Sequence, residues 1–210
     1  MIGTPINDRK AKRREATRLE IIDAAWAVAR QHGLAALTLR EVAARVGMRA
    51  PSLYSHFDSK NAIYDAMFGQ AWHAFLDLVD ATDPDLPGEP RARLKAVARQ
   101  FFDFAVADVP RYQLMTQQVI AGFTPSAEAY APAVQVIERL RQTLAKAGAR
   151  DDQAMDLFTA LISGLVSQQL ANEPGGQRWR RLIGRAIDMY ADELNLPAPP
   201  PRTTAARRTP

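Results

Sequence analysis

No stretch of this chain alternates apolar and polar residues over the four to eight positions that a half-buried strand requires; apolar residues recur instead at spacings of three and four. That pattern predicts an all-α fold. Leu19, Ile22, Trp26 and Ala29 mark a first helix, which Gly33 ends. Thr38 to Glu41 (TLRE) has the spacing of a capping box, so a second helix runs through Val42, Ala43 and Val46 and stops at Gly47. Pro51 suits a first helical position, which predicts a short third helix to about Phe57. Asp58 or Ser59 caps a long fourth helix through about Val79, apolar on two faces and therefore packed on two sides. Further helices are expected at 89–108, 110–121, 126–147, 151–173 and 177–194, punctuated by proline and glycine.

These elements divide the chain into a basic flexible arm (1–14), a helix-turn-helix head (15–60), a helical body (61–195) and a proline-rich tail from 196 to 210 expected to be disordered. The net charge is +4, but residues 1–60 hold 11 Lys and Arg against 6 Asp and Glu. A basic head on an acidic body suggests that one end meets a polyanion. The absence of cysteine excludes disulfides, thiolate nucleophiles and cysteine-ligated zinc. No apolar run approaches the roughly 20 residues of a spanning helix, and the N-terminus lacks a signal-type apolar stretch. A cytoplasmic protein with no membrane contact is the expectation.

Two short helices joined through Gly47 have the layout of a helix-turn-helix, whose second helix leads into the major groove of DNA with its N-terminal residues. Leu53 and Phe57, four apart, then face the head's own core. Arg49, Ala50, Pro51 and Ser52 form the leading edge: Arg49 can offer two donors to a guanine, and Ala50 and Pro51 can touch a thymine methyl. Tyr54, Ser55 and His56 point to the flanks, and Thr38 and Lys60 suit phosphates. The cluster Arg9, Lys10, Lys12, Arg13 and Arg14 reads equally as an arm gripping DNA and as solubilising charge.

The segment AAWAVARQHGLAALTLREVAARVGMRAPSLYSHFDSKNAIYDAMF resembles the DNA-binding domain of the TetR family of bacterial transcriptional repressors. The matching pieces are the G…LTLREVA…VG segment, the SLYSHF recognition helix and the FDSK step into the fourth helix, over about residues 15–68. The resemblance implies a homodimer on a palindromic double-stranded DNA operator and a helical body that binds a small effector. It also implies DNA contacts at Arg49, Ala50, Pro51, Ser52, Tyr54, His56 and Lys60, and at Arg40, which matches a position reaching a base in some members and phosphate in others.

In the body, Trp72, Phe101, Phe104, Met115, Phe123, Tyr130 and Phe158 are candidate walls of a cavity for a small apolar effector, although each also suits plain core. Gln117, Gln118, Gln168 and Gln169 could supply polar groups there, exposure being the ordinary state of each. The helix at 151–173 is apolar nearly all round and carries a small-residue stripe, Ala160, Gly164, Ser167 and Ala171; with Trp179, Ile183 and Ile187 of the next helix it is a candidate dimer interface. No carboxylate pair, Ser/His/Asp arrangement or metal-ligand spacing stands out, and no cofactor is expected. A ligand-released repressor is therefore the reading, with a helical small-molecule-binding protein that lacks sequence-specific DNA binding as the alternative.

Overall fold

The computed structural model describes the backbone of residues 5–197 and the side chains of 9–197. Among these residues all regular structure is helical, as the spacing pattern predicts. The helices are α1 (Pro5–His32), α2 (Leu39–Arg45), α3 (Ala50–Leu53), α4 (Lys60–Thr82), α5 (Pro90–Ala107), α6 (Val109–Thr116), α7 (Ala127–Ala147), α8 (Asp152–Asn172) and α9 (Ile183–Glu193). None of them is long and apolar enough to cross a membrane.

The local signals act where the sequence puts them. Gly33 closes α1 at φ +85° and Gly47 closes α2 at φ +67°, a left-handed conformation that strains any residue with a Cβ. Beyond Gly47 the Met48 N–H returns to the Ala43 carbonyl at 2.8 Å, which satisfies a helix-end acceptor. The Thr38 hydroxyl accepts the Glu41 N–H at 3.3 Å and donates to the Glu41 carboxylate at 2.7 Å. Ser59, rather than Asp58, caps α4 by accepting the Ala62 N–H at 3.0 Å.

The chain forms two compact units. The first gathers everything up to Thr82 with Phe104–Ile137. Its core joins Ile21, Val28, Leu37, Val42 and Leu53 of the head to Ile63, Met67 and Phe75 of α4. The two apolar faces of α4 are covered from different directions. Trp26 of α1 donates its indole N–H to Gln70 at 2.7 Å, and Gly69 packs so closely on α7 that a Cβ would stand 3.4 Å from the Ala129 backbone. The Tyr64 hydroxyl, donating to the Leu34 carbonyl at 2.7 Å, ties α4 to the turn between α1 and α2.

The second unit comprises Asp83–Asp103 and the chain from Glu138 onward. Leu94, Phe102, Leu144, Ile162, Val166, Ile183 and Ile187 fill its core. Gln169, expected at the surface, is instead 1% exposed. Its amide NH2 donates to the Glu173 carbonyl and its carbonyl accepts the Trp179 N–H at 3.1 Å, so both ends hold the loop after α8. That anchored loop is why regular α-helix resumes only at Ile183, after a 3-10 turn at Arg180–Leu182, and not near 177.

Other departures are local. The third helix keeps α geometry only over Ala50–Leu53; the next three N–H groups close onto carbonyls three residues back while the Ser55 hydroxyl takes the Ser52 carbonyl at 2.7 Å, tightening the turn. α6 stops at Thr116 because Gln117 is extended and β-branched and glycine residues follow. The expected arm is helical from Pro5 in α1; its first four residues lie outside the described ones. The tail is docked at its start, since Leu196 is buried and Arg91 holds the Leu196 and Pro197 carbonyls; the expected disorder from 198 on also lies outside the described residues.

Tyr190 gives the second unit a pH signature. Its hydroxyl donates to the Ala154 carbonyl at 2.9 Å, and burial, helped by the negative charge of Asp151, pushes its pKa up to about 12. A folded value above the unfolded one means that the stability from the neutral hydroxyl is complete below the ordinary value of 10.0 and is lost as pH rises through about 12. Urea unfolding across that window should show stability falling with pH, and Tyr190→Phe should fall less steeply. Equal slopes for the two proteins would exclude Tyr190 as the cause.

Candidate nucleic-acid interface

The α3 segment of the head rests on an apolar floor. Leu53 is 1% and Phe57 3% exposed, and the Phe57 N–H closes onto the Leu53 carbonyl at 2.9 Å. With that side committed to the core, Arg49, Pro51, Ser52, Tyr54 and Ser55 stand exposed on the other side, with Ala50 and His56 half-buried at its edges. Arg49, the N-cap residue, makes no side-chain capping bond. The side chains of Arg49 and of Arg40, exposed on α2, make no hydrogen bond or ion pair among the described residues, so both guanidinium forks are open to an outside acceptor. Tyr54 is 55% exposed, an aromatic body with a hydroxyl tip that nothing in the chain requires.

The phosphate candidates divide. The Thr38 hydroxyl is engaged with Glu41 in both directions and serves as a helix cap. Lys60 is half-buried, its ammonium 5.4 Å from the centre of the Tyr64 ring, which leaves its charge available beside the turn. Two arginines of α1 brace the turn, Arg14 from the basic cluster and Arg18 from outside the expected set. Arg18 donates to the His56 carbonyl and lies 4.2 Å over the Phe57 ring, and Arg14 donates to the Ser55 carbonyl at 3.2 Å. The sequence signal for Arg18 is its four-residue spacing from Arg14 along a basic helix.

The expected cavity residues are not all brought together. A cavity of about 230 Å3 opens in the first unit between α4, the end of α6, the 117–126 loop and the start of α7. Met115, Phe123 and Tyr130 line it as expected, with Phe68 and the amides of Gln117 and Gln118. Trp72 and Phe104 do not: Trp72 packs against Phe68 and Phe75, while Phe104 sits 4.8 Å from Phe75 under the Arg111 guanidinium. Phe101 and Phe158 belong to the second unit, where Phe158 meets Tyr190 edge-on at 5.6 Å.

The expected dimer residues also separate. Ala160, Gly164, Ser167 and Ala171 are all exposed on one side of α8, beside Leu157 at 53%. Ile183 and Ile187 are corrected: both are fully buried in the chain's own core and cannot meet a partner directly. Trp179 is half-buried, and the apolar residues that α9 and its leading turn leave open are Leu182 and Met189.

Residues 21–67 match the family profile described as bacterial regulatory proteins, tetR family. Over 77 residues the chain is 35% identical to the HTH-type transcriptional repressor KstR2 of Rhodococcus jostii (strain RHA1); the match covers 37% of this chain and 35% of that protein, so it spans about a third of the relative's length. A solved protein of unknown function from Rhodococcus sp. RHA1 superposes with TM-score 0.72 at 16% identity, covering 84% of this chain and 94% of that one. A TetR family transcription regulator from Marinobacter aquaeolei VT8 superposes with TM-score 0.63 at 17% identity, covering 87% and 97%. At these identities the two structures establish a shared fold, and the likeness reaches well past the head.

Proposed function

We propose that this chain, whose residues 21–67 match the profile of the tetR family of bacterial regulatory proteins, is a transcriptional repressor that binds a palindromic operator as a homodimer and is released by a small apolar effector. The observation that carries the reading is the α3 segment itself. Its apolar side is fixed by Leu53 and Phe57, while Arg49, Pro51, Ser52 and Tyr54 are left exposed, their side chains making no hydrogen bond or ion pair among the described residues. Arg49 matches the two acceptors of a guanine edge; Ala50 and Pro51 supply apolar contact to a thymine methyl.

The effector reading draws on the cavity in the first unit. Its lining offers aromatic and aliphatic surface with hydroxyl and amide groups but no charged side chain, which suits a neutral, mostly apolar molecule. Phe123, on the cavity wall, lies 5.8 Å from the Tyr64 ring and 6.5 Å from the Phe68 ring, both on α4. The same loop is fastened to α4 through Asp65, whose carboxylate accepts the Ser126 N–H at 2.6 Å and hydroxyl at 2.8 Å. A molecule that favours one position of Phe123 therefore acts on the helix that directly follows the DNA-reading turn. It can release DNA only by as much as it distinguishes the two positions of α4.

The test of the DNA reading is base preference. Per half-site, Arg49→Ala should cost about 1–3 kcal/mol on the preferred duplex and relax the choice at one base pair, whereas Lys60→Ala should weaken all sequences alike and lower the salt slope by about one. Selection of duplexes from a randomised pool by each protein reads both effects. An Arg49→Ala protein with unaltered preference would overturn the assignment of α3.

A further inference from the structure

Helix α1 begins well before the head's core requires it. Its buried side starts at Ile21 and Ile22, whereas residues 9–16 are exposed all round. That overhang is basic on one side. At 100° per residue, Arg9, Lys10, Arg13, Arg14 and Arg18 fall within one half of the circumference, while Lys12 and Glu15, of opposite sign, lie on the other. The orientation of that half is fixed, because Arg14 and Arg18 reach the carbonyls of Ser55 and His56 at the end of the DNA-reading turn. Lys10 continues the line of Arg14 and Arg18 outward, Arg9 and Arg13 widen the basic half, and the side chains of all three make no hydrogen bond or ion pair among the described residues.

This placement works against the helix that carries it. The N-terminal end of a helix bears partial positive charge, so cations there are unfavourable, and like charges four residues apart, as Arg9 and Arg13 are, repel. A polyanion removes both penalties. From Arg9 to Arg18 the helix advances about 14 Å, a length over which one strand of B-DNA carries about four phosphates.

We propose that the basic side of the α1 overhang is a second DNA-contacting surface, on which Arg9, Lys10 and Arg13 bind backbone phosphates of duplex DNA flanking the segment read by α3. The inference rests on the head reading DNA, and the surface adds affinity and salt sensitivity without base preference. Glutamine keeps high helix propensity, so Arg9→Gln/Lys10→Gln/Arg13→Gln removes the charge while retaining the helix.

The experiment measures binding of the full chain to a 40-bp duplex that the unaltered protein selects from a randomised pool, from 50 to 300 mM salt, and to the same duplex trimmed to its selected core. Lys146→Gln/Arg150→Gln/Arg178→Gln, three exposed cations of the second unit, is the control for net charge. The overhang variant should lose about tenfold to 100-fold in affinity on the long duplex, lower the salt slope by about 2–3 per half-site, keep the same base preference, and lose little further on trimming. The control should change little. A slope drop below one, an equal drop in the control, or equal sensitivity to trimming in variant and unaltered protein would overturn the second surface while leaving the head reading intact. Failure of the unaltered protein to enrich any duplex would overturn both.

Discussion

Arg91→Met is expected to lower the stability of the second unit by about 2–4 kcal/mol, the cost of removing a charged hydrogen-bonding partner from buried acceptors. The guanidinium is almost fully enclosed, and each of its nitrogens is used. Nε donates to the Pro197 carbonyl at 2.9 Å, one terminal nitrogen to Asp192 at 2.6 Å and the other to the Leu196 carbonyl at 2.6 Å. Methionine fills much of the same volume but leaves two carbonyls without donors. The chain can escape that penalty only by undocking Leu196, which is 4% exposed, so the loss is capped by the burial of one leucine and its backbone bond to Ala191. Asp192 is largely exposed and returns to water at little cost. Arg91→Lys should recover only part of the loss, since a single ammonium cannot reproduce a planar fork. Urea midpoints give the global effect, and hydrogen exchange at the Leu196 amide tells undocking from unfolding. An unchanged midpoint together with unchanged exchange would mean that the clamp contributes nothing.

Which parts were legible in the sequence follows from which forces are local. Gly33 and Gly47 act through their own backbones, and the Thr38 and Ser59 hydroxyls reach an N–H only three residues on, so turns and caps could be read residue by residue. The exposed side of α3 was legible because Leu53 and Phe57, four apart, fix the opposite side. The α1 overhang was misread as a flexible arm for want of an apolar stripe. Yet residues 9–20 contain no glycine or proline and are rich in strong helix formers, and helix propensity could have found it. What sequence spacing cannot supply is the identity of the covering element. Ile183 and Ile187 share a face with apolar neighbours, but only the fold decides that this face meets α8 and not a second chain. The braces Trp26–Gln70 and Asp65–Ser126 join residues 44 and 61 positions apart, and nothing local marks their partners. The same limit scattered the expected cavity wall, because Phe101 and Phe158 pack in a different unit from Phe123 and Tyr130.

On the proposed homodimer, Gly164→Trp is expected to leave a monomer and to weaken specific DNA binding by about 100-fold or more, while the chain itself folds as before. The last clause has a direct basis. An added Cβ at Gly164 would meet nothing within 4 Å, so the indole enters open space on the chain's own surface. The first clause follows from what surrounds that space. Ala160, Ser167 and Ala171 continue an exposed small-residue stripe along α8, with Leu157 at 53%, Leu182 at 39% and Met189 at 64% exposure in the same unit. Small side chains let a second helix approach closely, and exposed large apolar residues supply the area that favours its burial. An obligate interface of this type buries on the order of 2,000 Å2 or more, and a bulky indole in its centre keeps the helices apart. Loss of DNA binding then follows from geometry, since two heads joined in one dimer engage half-sites about 34–36 Å apart as a single event. Once separated, each head binds alone and forfeits an effective-concentration advantage of about 100-fold or more. Sedimentation velocity with parallel binding to a duplex carrying an inverted repeat reads both consequences, and unfolding midpoints check the integrity of the chain. A dimer that survives the substitution, or a monomer that still binds the inverted repeat as tightly as the unaltered protein, would remove this face of α8 from the DNA-binding assembly.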